Sequence, residues 1–89
     1  MTDDQIRAED CRLEVLTQLH ARKTGAHEAT TIRSVFLSRR DYSQLEVDDA
    51  LAALEGMGFV KSEFPPHSAI KVWRITGDGI THKERSSRR

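Results

Sequence analysis

Five side chains in this 89-residue sequence are of the types that ligate zinc or act as nucleophile or base: Cys11, His20, His27, His67 and His82. Zinc sites draw on ligands in short paired spacings, and no two of these five approach one. Cys11 falls on an apolar helical stripe, where a small thiol is core material. Glu46 and Asp49 stand one helical turn apart, but a helix cap and a solvated carboxylate account for them without catalysis. The chain has no glycine-rich phosphate loop and no nucleophile elbow. Trp73 reads as an anchor between a strand and the core. These residues predict no catalysis, no metal and no cofactor.

The remaining chemistry is charge. Lys and Arg balance Asp and Glu at fourteen each, so the net charge is zero. The distribution is uneven: residues 1–30 and 31–60 each carry −2, and residues 61–89 carry +4. Zero net charge removes the simplest electrostatic argument for a nucleic-acid partner, while the basic third keeps it open. A single cysteine cannot close an internal disulfide, which fits a reducing cytoplasm. No uncharged run exceeds seven residues, too short to cross a membrane, and one of that length, Phe64 to Ile70, holds two prolines. The N-terminus begins with acidic Asp3 and Asp4, the wrong sign for a secretory leader.

The elements that must position these charges follow from periodicity. Residues 1–7 are polar and aperiodic, a lead-in without a predicted element. From Ala8 the apolar positions Ala8, Cys11, Val15 and Leu19 share one helical face, with Leu16 on its shoulder and Ile6 and Leu13 widening the arc. Arg22 and Lys23 complement the dipole before Gly25 ends the helix. A second helix is predicted over 29–38, with Ile32, Val35 and Phe36 inward and Arg33, Leu37 and Arg40 on another side. Ser43-Gln-Leu-Glu46 has capping-box spacing and opens a third helix that ends near Gly56 or Gly58. Val47, Ala50, Leu51, Leu54 and Met57 form its buried stripe. The period then becomes extended: a strand over 59–64, a connection over 65–68, and a returning strand over 69–75 with Lys71, Trp73 and Ile75 on one face. Thr76 caps a short helical turn, and residues 83–89 have nothing to bury. The chain therefore divides into a lead-in (1–7), one α+β domain (8–82) and a basic tail (83–89). Val47, Leu51, Leu54, Ile32, Phe36, Val15, Leu19, Phe59 and Ile75 are its predicted core.

Three helices followed by a hairpin resembles the winged helix-turn-helix order. The likeness is specific at Leu51-Ala-Ala-Leu54-Glu-Gly-Met-Gly58-Phe59-Val60, similar to a recognition helix running into the first wing strand. It is specific again at Val72-Trp-Arg-Ile75-Thr76-Gly-Asp-Gly79, similar to the element that closes the wing in many winged-helix regulators. Within that class the chain resembles the small regulator-like proteins of Mu-like phages and prophages, although its basic tail lacks the proline usual there. The resemblance implies a DNA-binding, transcription-regulator-like protein whose third helix enters the major groove.

The residues of that helix fit the role unevenly. An inward Val47, Leu51 and Leu54 leave Leu45, Asp48, Asp49 and Ala52 outward, and two adjacent carboxylates face the phosphate field with the wrong sign. The DNA-contacting candidates are then peripheral: Arg39, Arg40, Tyr42 and Gln44 at the helix entrance, Lys61, His67 and Lys71 on the wing, and Arg88 and Arg89 in the tail. Such contacts position a protein without reading sequence. The alternative reading is a winged helix used for protein interaction, docking a partner through the acidic third helix. The broad apolar arc of the first helix predicts a homodimer in either case, with the segment after Thr76 contributing.

Overall fold

In the computed structural model, which describes residues 2–86, helix α1 spans Asp3–Ala21 and so begins five residues before the apolar period does. The cause is a capping box: Thr2 Oγ1 accepts from Gln5 N at 3.2 Å, and Gln5 Oε1 accepts from Thr2 N at 3.0 Å. Residues 2–10 are all exposed, Ala8 included, so no burial pattern marks this turn in the sequence. From Cys11 onward the expected stripe is buried, with Cys11, Val15 and Leu19 joined by Leu16.

After the turn at Gly25, strand β1 (His27–Glu28) leads into helix α2 (Ala29–Thr31), which continues as a π-helical stretch (Ile32–Phe36). The π register corrects the expected stripe. Leu37 N donates to Ile32 O at 2.9 Å, an i+5 bond that places Leu37, not Val35, beneath Ile32. Leu37 is accordingly 2% exposed and Val35 59%. Phe36 packs on the core from a half-buried position.

Helix α3 (Gln44–Gly56) opens on the predicted capping box. Ser43 Oγ accepts from Glu46 N at 3.1 Å, and Glu46 Oε1 accepts from Ser43 N at 3.0 Å. Val47, Ala50, Leu51 and Leu54 are buried against α1, as the stripe requires. The helix ends in paired reverse bonds, Phe59 N to Leu54 O and Gly58 N to Glu55 O, with Gly58 at φ 81°. That is the Schellman arrangement, whose left-handed residue glycine adopts without strain. Met57, expected in the stripe, becomes the cap residue and turns outward.

Strands β2 (Val60–Glu63) and β3 (Val72–Ile75) form the expected hairpin, pairing Val60 with Ile75 through Glu63 with Val72. Trp73 and Ile75 face the core and Arg74 faces outward, the predicted parity. The hairpin is not alone, however. Strand β1 pairs on the other side of β3, His27 with Trp73, giving an antiparallel sheet of order β1-β3-β2. Two residues are too few to show alternation, which is why the third strand left no trace in the sequence pattern.

Helix α4 (Gly77–Ser86) is longer than the predicted turn and takes in residues 83–86 of the expected tail. Thr76 Oγ1 accepts from Gly79 N at 3.0 Å and donates to Gly58 O at 2.6 Å, so one hydroxyl caps α4 and ties it to the end of α3. The ring of His82 stacks on Phe59 at 4.3 Å, and His20 of α1 meets Glu84 at 3.5 Å. One contiguous core results, containing seven of the nine expected residues, with Phe36 and Phe59 packed at its edge. Among the described residues no helix is long and apolar enough to cross a membrane.

Candidate nucleic-acid interface

The outward side of α3 begins with Gln44. Arg33, from the π-helical stretch, donates from Nε to Gln44 Oε1 at 3.2 Å, and Gln44 Nε2 donates to Asp48 Oδ1 at 3.1 Å. A guanidinium is thereby linked through an amide to one of the two carboxylates that stood against DNA contact. The sequence does not announce this partner, because Arg33 lies eleven residues before Gln44 on another element. Asp49 has no such partner among the described residues. It lines a cleft between α1 and α3 together with Leu45, Arg7 and Arg12.

The far end of α3 is tied to the hairpin. Glu55 Oε2 accepts from Ser62 Oγ at 2.7 Å and from Ser62 N at 3.1 Å, which satisfies a backbone donor on the free edge of β2. The Ser62 hydroxyl, with the backbone N–H and the Lys71 charge assisting, holds this carboxyl below the usual range against a smaller burial effect. Two hydrogen bonds thus tie the end of the helix to the hairpin.

On the hairpin, Lys61 stands across from Arg74, and Arg74 Nε reaches Glu63 Oε1 at 3.3 Å. Lys71 places its ammonium 5.4 Å from the Trp73 ring and 5.9 Å from the Phe64 ring. His67 sits in the connection at φ 63°, a left-handed position that His tolerates better than most residues. Ser68 N donates to Pro65 O at 3.1 Å and closes that turn. Lys61, His67 and Lys71 are all exposed.

The remaining candidates lie elsewhere. Arg40 Nη2 reaches Glu14 Oε1 of α1 at 2.7 Å. Arg39 is exposed along a cleft that it shares with Asp3 and Asp10. Tyr42 is 9% exposed and belongs to the core, so its ring is not available at the helix entrance. Arg88 and Arg89 lie outside the described residues. The seven candidates among the described residues therefore split: Gln44, Lys61, His67 and Lys71 occupy α3 and the hairpin, while Arg39, Arg40 and Tyr42 turn toward α1.

Tyr42 is held by Arg7, whose guanidinium lies 5.0 Å from the ring centre. Arg7 also grips both oxygens of Glu46, Nε to Oε2 at 2.5 Å and Nη2 to Oε1 at 3.1 Å, and donates to the Asp41 carbonyl. The Arg7 side chain, with the Ser43 N–H helping, lowers the Glu46 carboxyl to about 2. Glu46 thus acts as cap and as anchor for α1, a structural pair rather than an acid/base pair with Asp49. Burial pushes the Cys11 thiol up to about 11, the environment of an inert core cysteine. Among the described residues no group of three His, Cys, Asp or Glu side chains is placed to hold a metal ion.

No protein-family model matches the chain, and no curated protein matches it. Among solved structures it is similar to a transcriptional regulator from Clostridium thermocellum. The likeness has a TM-score of 0.68 at 20% identity and covers 98% of this chain and 84% of that one. At that identity the likeness is one of fold. It extends over α1 and α4 as well as the helices and hairpin between them, since nearly the whole chain superposes.

Proposed function

We propose that this chain is a small winged-helix DNA-binding module of the transcription-regulator type, with the hairpin as its wing and α3 as the helix offered to the groove. The observation that carries the reading is the Glu55–Ser62 tie, which joins a basic, exposed hairpin to the end of α3. The regulator fold likeness adds to it, as do the motif resemblances to winged-helix regulators and the chain's resemblance to small regulator-like proteins of phages and prophages. Lys61, Lys71 and His67 contact phosphates from the hairpin, and Gln44 and Arg33 do so from the helix entrance. Arg39 and Arg40 add only to the longer-range field. The protein works in the reducing cytoplasm, without cofactor or catalysis.

The test is a fluorescence-anisotropy titration of the full chain against duplex DNA at two salt concentrations. Each neutralised phosphate contributes about −0.9 to the slope of log K against log salt. The pair Lys61→Ala, Lys71→Ala should therefore flatten the slope by about 2 and weaken binding to all sequences alike. Wild-type affinity weaker than about 10⁻⁴ M at physiological salt would defeat the reading.

A second reading rests on Asp49, a carboxylate without a partner among the described residues, beside an exposed Leu45. Here α3 docks a basic protein. Asp48→Asn with Asp49→Asn separates the two: DNA binding tightens in the first case, and a protein complex weakens in the second. In either case we propose that two copies pair through α1 and α4, covering Leu13 and Met57 beside the Phe59–His82 stack. Sedimentation showing a 10.1 kDa species at high protein concentration would remove that pairing.

A further inference from the structure

The far end of the hairpin carries two large apolar side chains that the fold does not use. Phe64 is 60% exposed and Ile70 55%. Both lie just beyond the last paired residues, Glu63 and Val72. Scattered apolar residues on a surface are ordinary, but here two flank one tip and neither belongs to the core. The tip between them is stiff. Pro65 and Pro66 fix two backbone torsions in succession, His67 is held left-handed, and the Ser68–Pro65 bond closes the turn.

The surroundings of these side chains are basic. Residues 60–75 contain Lys61, Lys71 and Arg74 against Glu63 alone, and Arg74 already engages that carboxylate. The Lys71 ammonium rests 5.9 Å from the Phe64 ring. A phosphate would draw it away and uncover the ring face. A stiff apolar point on a cationic stem complements a stacked polyanion: the stem meets phosphates and the point meets base faces. An acidic or purely apolar protein partner would use one half of this arrangement and leave the other unsatisfied.

We propose that the hairpin tip is a wedge, with Phe64 and Ile70 entering between adjacent base pairs of duplex DNA and bending it. The proposal rests on the DNA reading above. Apolar side chains inserted at a base step unstack it and kink the duplex by about 20–90°. Pyrimidine–purine steps yield most easily, so the wedge favours sites containing them without any hydrogen-bonded base readout.

The test uses the whole protein and a short duplex, dye-labelled at both ends, with a central TA step. The bend is read by energy transfer between the dyes, and affinity by anisotropy. Wild type should bring the ends together as for a kink of at least about 20°. Phe64→Ala should leave the duplex straight and weaken binding by roughly tenfold, the scale of one lost base–aromatic stack. Phe64→Trp should restore both. A central mismatch, already unstacked, should bind wild type more tightly and the alanine variant no more tightly than the paired duplex. Wild type bound to a straight duplex, or Phe64→Ala bending it as wild type does, would overturn the wedge and leave the DNA reading standing. Absence of binding to any duplex would remove both. The exposure of Phe64 keeps the variant folded, which an unchanged thermal midpoint checks.

Discussion

An alanine at position 79 would set its Cβ 2.1 Å from Phe59 O, 2.9 Å from Phe59 C and 2.8 Å from Ile75 Cγ1. Ordinary carbon contacts lie at about 3.5–4.0 Å, so the helix and the strand entrance must separate by roughly 1 Å or more. Two of these neighbours are backbone atoms and cannot swing aside. The same carbonyl accepts from Thr76 N at 2.9 Å, and the adjacent Gly58 carbonyl accepts from Thr76 Oγ1 at 2.6 Å. Separation therefore loosens both bonds. Overpacking of this kind costs about 1–3 kcal/mol, and each weakened bond about 0.5–1.5 kcal/mol. The helix preference of alanine over glycine returns at most about 1 kcal/mol. Gly79→Ala should thus destabilise the domain by about 1–5 kcal/mol, at its upper end a large share of the roughly 4–13 kcal/mol expected for a chain of this length. Urea denaturation followed by far-ultraviolet circular dichroism measures it. Gly77→Ala is the control, because nothing lies within 4 Å of its added Cβ; it should be neutral or stabilising by up to about 1 kcal/mol. A Gly79→Ala variant as stable as wild type, or a Gly77→Ala variant equally damaged, would refute the packing account of the Thr76–Gly79 element.

Three further outcomes follow from the geometry. Leu37→Ala should cost about 2–5 kcal/mol and Val35→Ala less than about 0.5 kcal/mol; the reverse order in urea melts would contradict the π register. Leu51→Ala, at the centre of α3's buried face, should cost the same 2–5 kcal/mol through lost transfer energy and a residual cavity, and a near-neutral result would mean that the α1–α3 seam is not the core. Glu46 has a folded-state pKa of about 2 against an ordinary 4.5, so its stabilisation is present above about pH 4.5 and is lost as pH falls toward 2. Thermal midpoints of Glu46→Gln should consequently decline less steeply than wild type across that window, and parallel declines would show that the Arg7 pair contributes nothing.

The sequence by itself determined those features whose causes are local. The α3 stripe and its capping box were legible because a 3.6-residue period and a hydroxyl–carboxylate spacing act within a few residues. The parity of Trp73, Arg74 and Ile75 was legible because a strand alternates strictly, and the Thr76 cap because its acceptor geometry spans three positions. The tertiary structure decided whatever depends on distant partners. The π stretch exchanges Leu37 for Val35 at the core, since an i+5 register is chosen by packing on α1 and α3 and not by the residues' own preferences. Strand β1 exists only because β3 offers its second edge. Helix α4 runs on through residues 83–86, where Glu84 meets His20 of α1, one turn past the His82–Phe59 stack. The same division holds at the candidate interface. Composition located the basic third of the chain, but only the fold turned Arg39 and Arg40 toward α1, buried Tyr42, and linked Arg33 to Asp48 through Gln44. Periodicity records which face of an element is apolar. It carries no information about which charged side chains from other elements will meet on the opposite face, because those encounters are set by helix docking and strand register.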